Sequence, residues 1–189
     1  MSLNEYNKKR KFQETPEPEG TVKESGKNIY VVQKHKASRL HYDFRIEYNG
    51  VLKSWAIPKG PSINPSNRRL AIETEDHPLD YADFEGIIPE GNYGAGSVII
   101  WDYGAFENHS MKDGKEISLQ NAYKNGHMTL ILGGKRLEGE FALIKMKRDN
   151  QWLLVKKDDN YADRGIEITK KYNSSVFSSK SLEDLANDK

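Results

Sequence analysis

The sequence predicts a mainly β protein, a closed or nearly closed antiparallel β-barrel of about eight strands with few short helices. Three observations carry this. Period-two alternation recurs along the chain and is clearest from Leu40 to Tyr48, where even positions are apolar and odd positions from Arg39 are polar. Turn signals, among them Asn49-Gly50, separate such stretches at short intervals. Helical patterning is confined to a few short segments.

Taken in order, residues 1–27 are polar, with Lys8, Lys9, Arg10 and Lys11 followed by Thr15-Pro16-Glu17-Pro18-Glu19-Gly20, the composition of a flexible arm. The barrel domain is expected over 28–158. Its first strand is the β-branched and aromatic run Ile29 to Gln33, and Lys34-His35-Lys36 then leads by a turn into the alternating strand. Val51 to Ile57 is the antiparallel partner of that strand, stopped by Pro58, and Lys59 to Ser66 is a loop. Arg69 to Thr74 alternates again. His77 to Phe84 opens a helical turn with proline early in it, and the glycine-rich loop Pro89 to Gly96 leads into an apolar strand, Ser97 to Trp101. A short helix, Leu119 to Asn125, is closed by Gly126. Strands follow at His127 to Leu132, Gly139 to Met146 and Trp152 to Lys156. The polar tail 159–189 ends in a short helix opened by Ser181 and holding Leu182 and Leu185.

Composition narrows the function classes. A net charge of +1 over 189 residues leaves no global basicity, so any nucleic-acid site must be a local patch. The absence of cysteine excludes disulfides and thiolate metal sites. No apolar run approaches membrane-spanning length and the N-terminus has no secretory core, so a cytoplasmic protein without membrane contact is expected.

On a strand, His41, Asp43 and Arg45 stand in a row on one face. A solvated polar face is the ordinary meaning of such a row. With His35, however, His41 and Asp43 supply two nitrogens and one oxygen, a set that suits Mn, Fe or Zn and leaves positions open for water or substrate. Arg45, Lys59 and Arg69 can bind anions, although each taken singly is more often a surface charge. Gly91, Gly94 and Gly96 form either an anion-binding nest or a tight turn. Tyr81, Tyr93 and Trp101 can stack on bases, with core packing the commoner role for Trp101.

The run Gln33 to Arg45 resembles the signature of the 3'-phosphoesterase domain of bacterial DNA ligase D, and the similarity continues over Gly50 to Ser62, His77 to Gly104 and Trp152 to Lys156. It spans residues 10 to 158, with a gap around 105 to 125. The resemblance implies a manganese ion held by His35, His41 and Asp43, with Zn²⁺ or Co²⁺ able to take the same place. It implies a catalytic set of His41, Asp43, Arg45 and His77, in which Arg45 and His77 engage the scissile phosphate. Gln33, Lys59, Arg69 and Tyr81 correspond to supporting positions. In the arm, Arg10 and Glu17 match the family, while Lys11 stands where the family has aspartate. Part of residues 1–27 is therefore expected to fold over the site.

The implied reaction is removal of a terminal ribonucleoside, then of the remaining 3'-phosphate, from DNA or RNA-DNA primer-template ends, leaving a 3'-hydroxyl. No primase or ligase domain fits in the chain, so the resemblance is to a free-standing, monomeric version that would work with a separate ligase or polymerase/primase. Three rival readings make different demands. A facial triad of His41, Asp43 and His77 would belong to an Fe(II) oxygenase and leave His35 dispensable. A metal-free nucleic-acid-binding module would need only the cations. A scaffold in a repair complex would dock through the tail.

Overall fold

The computed structural model describes residues 2–23 and 26–187; Met1, Glu24, Ser25, Asp188 and Lys189, which fall in the predicted arm and tail, lie outside the described residues. The strands are β1 (Ile29–Lys36), β2 (Leu40–Tyr48), β3 (Val51–Ile57), β4 (Arg68–Glu73), β5 (His77–Pro78), β6 (Gly86–Ile88), β7 (Gly96–Asn108), β8 (Met111–Lys112), β9 (Lys115–Glu116), β10 (His127–Gly134), β11 (Glu138–Lys145) and β12 (Gln151–Lys156). The helices are α1 (Leu3–Lys9), α2 (Leu119–Lys124), α3 (Ile168–Lys171) and α4 (Leu182–Asn187), with a 3₁₀ turn at Leu79–Asp83.

The wall runs β1-β2-β3-β4-β12-β11-β10-β7, and β7 pairs back onto β1. This is the closed eight-stranded antiparallel barrel that the sequence predicts. The hairpin between β2 and β3 turns on Asn49 (φ 49°) and Gly50 (φ 78°), both left-handed, as a two-residue turn of this hand requires. Two predicted strands are longer than expected. β1 continues to Lys36, which carries His35 from the expected turn onto the strand. β7 runs to Asn108 because it is the closing strand, facing β1 over Ser97–Ala105 and β10 over Gly104–Asn108. His77 and Pro78 first bridge to Leu52 and Val51, so the helical turn expected from His77 starts only at Leu79.

Inside the barrel pack Tyr30, Phe44, Trp55, Trp101, Phe141 and Trp152. Trp101 is fully buried there, which removes it as a stacking surface for bases. A second apolar layer lies outside the wall. Val31 of β1, Leu52 of β3, and Val98 and Ile100 of β7 turn outward and meet Tyr6 of α1 and Leu79, Tyr81 and Phe84 of the 3₁₀ segment. The wall at β1, β2 and β3 is thus buried on both faces, and the polar side of β2 is covered instead of solvated: Asp43, Arg45 and Glu47 are each at most 7% exposed. The tail also packs. Trp101 Nε1 donates to the Tyr172 carbonyl at 2.9 Å, Val176 N donates to the Ile100 carbonyl at 2.9 Å, and Leu182 of α4 is buried. No helix among the described residues is long and apolar enough to cross a membrane.

At the point where β7 passes from β1 to β10, Gly104 faces both Tyr30 and Gly134. A Cβ on Gly104 would lie 2.3 Å from the Gly133 carbonyl oxygen, a backbone atom that cannot swing aside, whereas one on Gly133 would meet nothing closer than 3.8 Å. Gly104→Ala is therefore expected to destabilise the protein by about 1–3 kcal/mol, lowering Tm by about 2–12 °C, with Gly133→Ala close to neutral. Thermal unfolding of the two variants side by side checks this, and equal melting temperatures would refute it.

Candidate metal and phosphate site

The register of the first hairpin builds the site. β1 and β2 pair so that His35 lies directly opposite His41, and Asp43 follows two residues along β2 on the same face. His35 Nδ1 and His41 Nε2 lie 3.7 and 3.5 Å from Asp43 Oδ2, and the three candidate ligand atoms fall within 4.8 Å of one another. Ligands each roughly 2.0–2.2 Å from one ion stand about 3–4 Å apart, so the two separations to Asp43 fit a shared cation. The remaining ring nitrogens are committed to carbonyls, which only accept. His35 Nε2 donates to the Gly94 carbonyl at 2.9 Å, and His41 Nδ1 donates to the Arg39 carbonyl at 3.0 Å. Each imidazole is thereby held with its other ring nitrogen toward Asp43, able to donate to the carboxylate when protonated or to give its lone pair to an ion, the way histidine ligands are oriented. Burial alone would raise the Asp43 pKa. Arg45 and the two histidines outweigh it and hold the carboxyl well below its ordinary range, so it stays a carboxylate.

Next along β2, Arg45 is fixed on every side. Its Nη2 lies 3.3 Å from Asp43 Oδ2, Nε donates to Gln33 Oε1 at 2.7 Å, Nη1 donates to Ser54 Oγ at 2.9 Å, and the guanidinium sits 4.9 Å from the Tyr81 ring centre. Gln33 spends its amide hydrogens on the carbonyls of Tyr81 and Phe84. It is a fully buried brace behind Arg45 and does not line the cavity.

The arm supplies Arg10 to the cavity wall. The purely flexible segment that its composition implied is not what forms; α1 packs Tyr6 into the outer apolar layer, with its hydroxyl donating to the Pro18 carbonyl. Arg10 Nε donates to Glu17 Oε1 at 2.8 Å, Nη1 lies 3.3 Å from Glu75 Oε1, and Nη2 donates to His77 Nε2 at 3.4 Å. Because arginine cannot accept, His77 presents a lone pair at Nε2 and donates Nδ1–H to the Glu75 carbonyl at 2.9 Å. Burial, then the charges of Arg45 and Arg10, push the His77 pKa well down, so this imidazole is neutral. Glu17 also accepts from the Tyr81 hydroxyl at 3.0 Å and from Thr15, so it holds Arg10 and Tyr81 in place from behind the cavity. Burial and then Glu17 keep the Tyr81 phenol protonated.

One cavity of 270 Å³ gathers Arg10, His35, His41, Asp43, Arg45, His77, Tyr81 and Tyr93 from the predicted residues, together with Glu75. Lys59 and Arg69 are not among its lining. Lys59 is exposed on the loop after β3, and Arg69 shares the inward side of β4 with Ala71, whereas the cavity lies on the outer side of the wall. Tyr81 is too buried to receive a base. His77 stays outside the ligand cluster formed by His35, His41 and Asp43, so the facial triad of an Fe(II) oxygenase is not assembled. The glycine loop acts as a turn with left-handed Gly91 and Gly94, and it offers His35 a carbonyl rather than a nest of N–H groups. Lys11, where the resembled family has aspartate, is an exposed partner of Glu14 and does not line the cavity.

The sequence reading missed Glu75, Ser54 and Tyr6. Glu75 is the bridge between Lys9 (3.0 Å) and Arg10. Its signal was faint: a carboxylate two residues before His77. Tyr6 was more legible, as a lone aromatic within the polar run Leu3 to Lys9.

A family model for the DNA ligase D 3'-phosphoesterase domain matches residues 33–145. The multifunctional non-homologous end joining protein LigD of Pseudomonas aeruginosa is 49% identical over 95% of this chain and 22% of its own length. The corresponding proteins of Mycobacterium bovis and Mycobacterium tuberculosis are each 46% identical over 80% of this chain and 19% of theirs. The chain thus spans about a fifth of the length of these relatives. The metal cluster and Arg45 fall within the matched segment, as does His77, and the chain belongs to the DNA ligase D 3'-phosphoesterase domain family.

Proposed function

We propose that this protein is a metal-dependent phosphoesterase that processes nucleic-acid 3' ends for end joining. In this reading it removes a terminal ribonucleoside and then the 3'-phosphate, leaving a hydroxyl that a separate polymerase or ligase can use. The observation that carries it is the pair of imidazoles locked by backbone carbonyls toward one buried carboxylate, with Arg45 and Arg10 beside them. Manganese suits this donor set of two nitrogens and one oxygen, and Zn²⁺ or Co²⁺ fits the same ligands.

His35, His41 and Asp43 would hold the ion, which when bound supplies Lewis-acid polarisation of a phosphoryl oxygen. The rest follows from the chain's own groups. Arg45 and Arg10 face one cavity and neutralise the charge that develops on the transferring phosphoryl group. Their rigid bracing means that little reorganisation accompanies the reaction. His77 enters neutral. A phosphate dianion arriving beside the two guanidiniums offsets part of what suppresses imidazole protonation, and in this reading His77 serves at the phosphate as a proton donor or a hydrogen-bonding ligand. The cavity is just below the roughly 300–1,000 Å³ usual for small-ligand pockets, so a terminal nucleotide enters and the duplex stays outside.

Two experiments test this reading. Mn²⁺ at about a hundred times its Kd is expected to stabilise the wild type by about 2.7 kcal/mol, seen as a rise in Tm of about 5–11 °C, and to leave Asp43→Asn and His41→Ala unshifted. Protons compete for the same nitrogens. Burial lowers the His41 pKa, but Asp43 and the Arg39 carbonyl outweigh it and leave it raised above 6.5. The metal-induced rise is therefore present at alkaline pH and fades as pH falls through that raised value. A rise of the same size in either ligand variant would discard the ligand assignment.

The second experiment offers a primer-template ending in 3'-phosphate. Wild type with Mn²⁺ releases phosphate and chelation stops it. His77→Ala keeps the metal-induced rise in Tm but releases phosphate about 10²-fold or more slowly. Binding that survives chelation without phosphate release under any divalent metal would establish the metal-free binding module instead.

A further inference from the structure

We infer that Tyr93 is the platform on which the base of the terminal nucleotide stacks while its phosphate lies at the metal cluster, an inference that rests on the proposed phosphoesterase reading. The cavity has two tyrosines in its wall, and they differ in kind. Tyr81 is 3% exposed and spends its hydroxyl on Glu17, whereas Tyr93 is 49% exposed. Tyr93 is the lining aromatic with an open ring, and it stands on the loop that also orients a metal ligand, since the next residue, Gly94, accepts from His35.

Cations lie over the ring, yet the residue stays half exposed. Lys9 Nζ lies 4.6 Å from its centre and donates to its hydroxyl at 3.4 Å, and the Arg10 guanidinium lies 5.5 Å from the centre. Lys9 is itself held by Glu75 at 3.0 Å. Left-handed Gly91 (φ 87°) and Gly94 (φ 76°) bracket Tyr93, so the backbone sets the loop's path independently of the tyrosine side chain. A half-exposed planar ring at the cavity wall, with cations over it, is the arrangement that holds the end of a single strand. Stacking uses the π-face that every base has. Tyr93 therefore reads the presence of a terminal base and not its identity.

The test compares four 3'-phosphate ends differing in terminal base with one whose terminal residue is abasic, using full-length wild type, Tyr93→Ala, Tyr93→Phe and Tyr93→Trp with Mn²⁺. Tyr93→Ala is expected to lose about 5- to 150-fold in kcat/KM on all four base-bearing ends, mainly through KM, and nothing on the abasic end. Wild type should disfavour the abasic end by a similar factor, and the aromatic variants should stay within about threefold of wild type. A readout independent of turnover uses a primer ending in 2-aminopurine and a 3'-hydroxyl, whose fluorescence wild type quenches on binding and Tyr93→Ala does not. The metal-induced rise in Tm persists in Tyr93→Ala, showing an intact loop. Equal kcat/KM and equal quenching in wild type and Tyr93→Ala, or an equal loss on the abasic end, would overturn the stacking role alone. If wild type releases phosphate from none of the ends, the phosphoesterase reading fails, and the fluorescence arm still decides whether Tyr93 stacks.

Discussion

The site depends on one carboxylate, Asp43, kept ionised out of water. A charge in that position is costly unless it is paired and its partners are themselves held. Arg45, His35 and His41 are the partners, and each is secured by a further hydrogen-bonding group. Gln33 ties Arg45 to the carbonyls that close the 3₁₀ segment, and Ser54 ties it to β3. The carbonyls of Gly94 and Arg39 fix the imidazoles. Such an arrangement adds little net stability compared with an apolar core of the same volume, but it allows one geometry and no other. That suits a place where ligand atoms must be kept to within tenths of an ångström.

The covering of the polar face explains why the arm is structural. Exposed to bulk water, Arg45 and His77 would interact with a phosphate through a high dielectric and at a fraction of the strength. α1 and the Thr15–Pro18 segment exclude that water with few anchors: Tyr6 in the apolar layer, Arg10 between Glu17 and Glu75, and Thr15 on Glu17. Arg10, a charged part of the cavity wall, thus comes from a largely polar segment that is placed by ion pairs of Lys9 and Arg10 with Glu75, more than sixty residues away in sequence.

How far the sequence disclosed this varies with the physics involved. The barrel was legible because period-two alternation and the Asn49-Gly50 turn are local properties. So was the common face of His41, Asp43 and Arg45. His35 was grouped with His41 and Asp43 from the sequence, but the cross-strand pairing that brings it there was not legible, since it depends on the β1–β2 register, and the reading placed His35 on a turn. The arm was misjudged from composition because disorder statistics count apolar residues and overlook a single buried tyrosine. Arg69 shows the limit of similarity: the residue matches the family, yet strand alternation puts it beside Ala71 on the inner side of the wall. Lys53, which looks like a surface charge in sequence, is buried with Glu73 and Asp76 inside the same barrel.

Charge balance connects the cluster to its ligand. Lys9, Arg10 and Arg45 contribute three positive charges, and Glu17, Asp43 and Glu75 contribute three negative ones, so with neutral histidines the sum is zero. The protein groups alone therefore offer a phosphate monoester, at about −1.5 to −2 near neutral pH, no net attraction. A divalent ion on His35, His41 and Asp43 would bring the site to +2, the complement of that dianion. In the proposed reading, metal and phosphate binding would then be one electrostatic event, each removing the penalty the other would meet alone. The paired carboxylates, which at first sight work against anion binding, would make affinity for phosphate conditional on the ion.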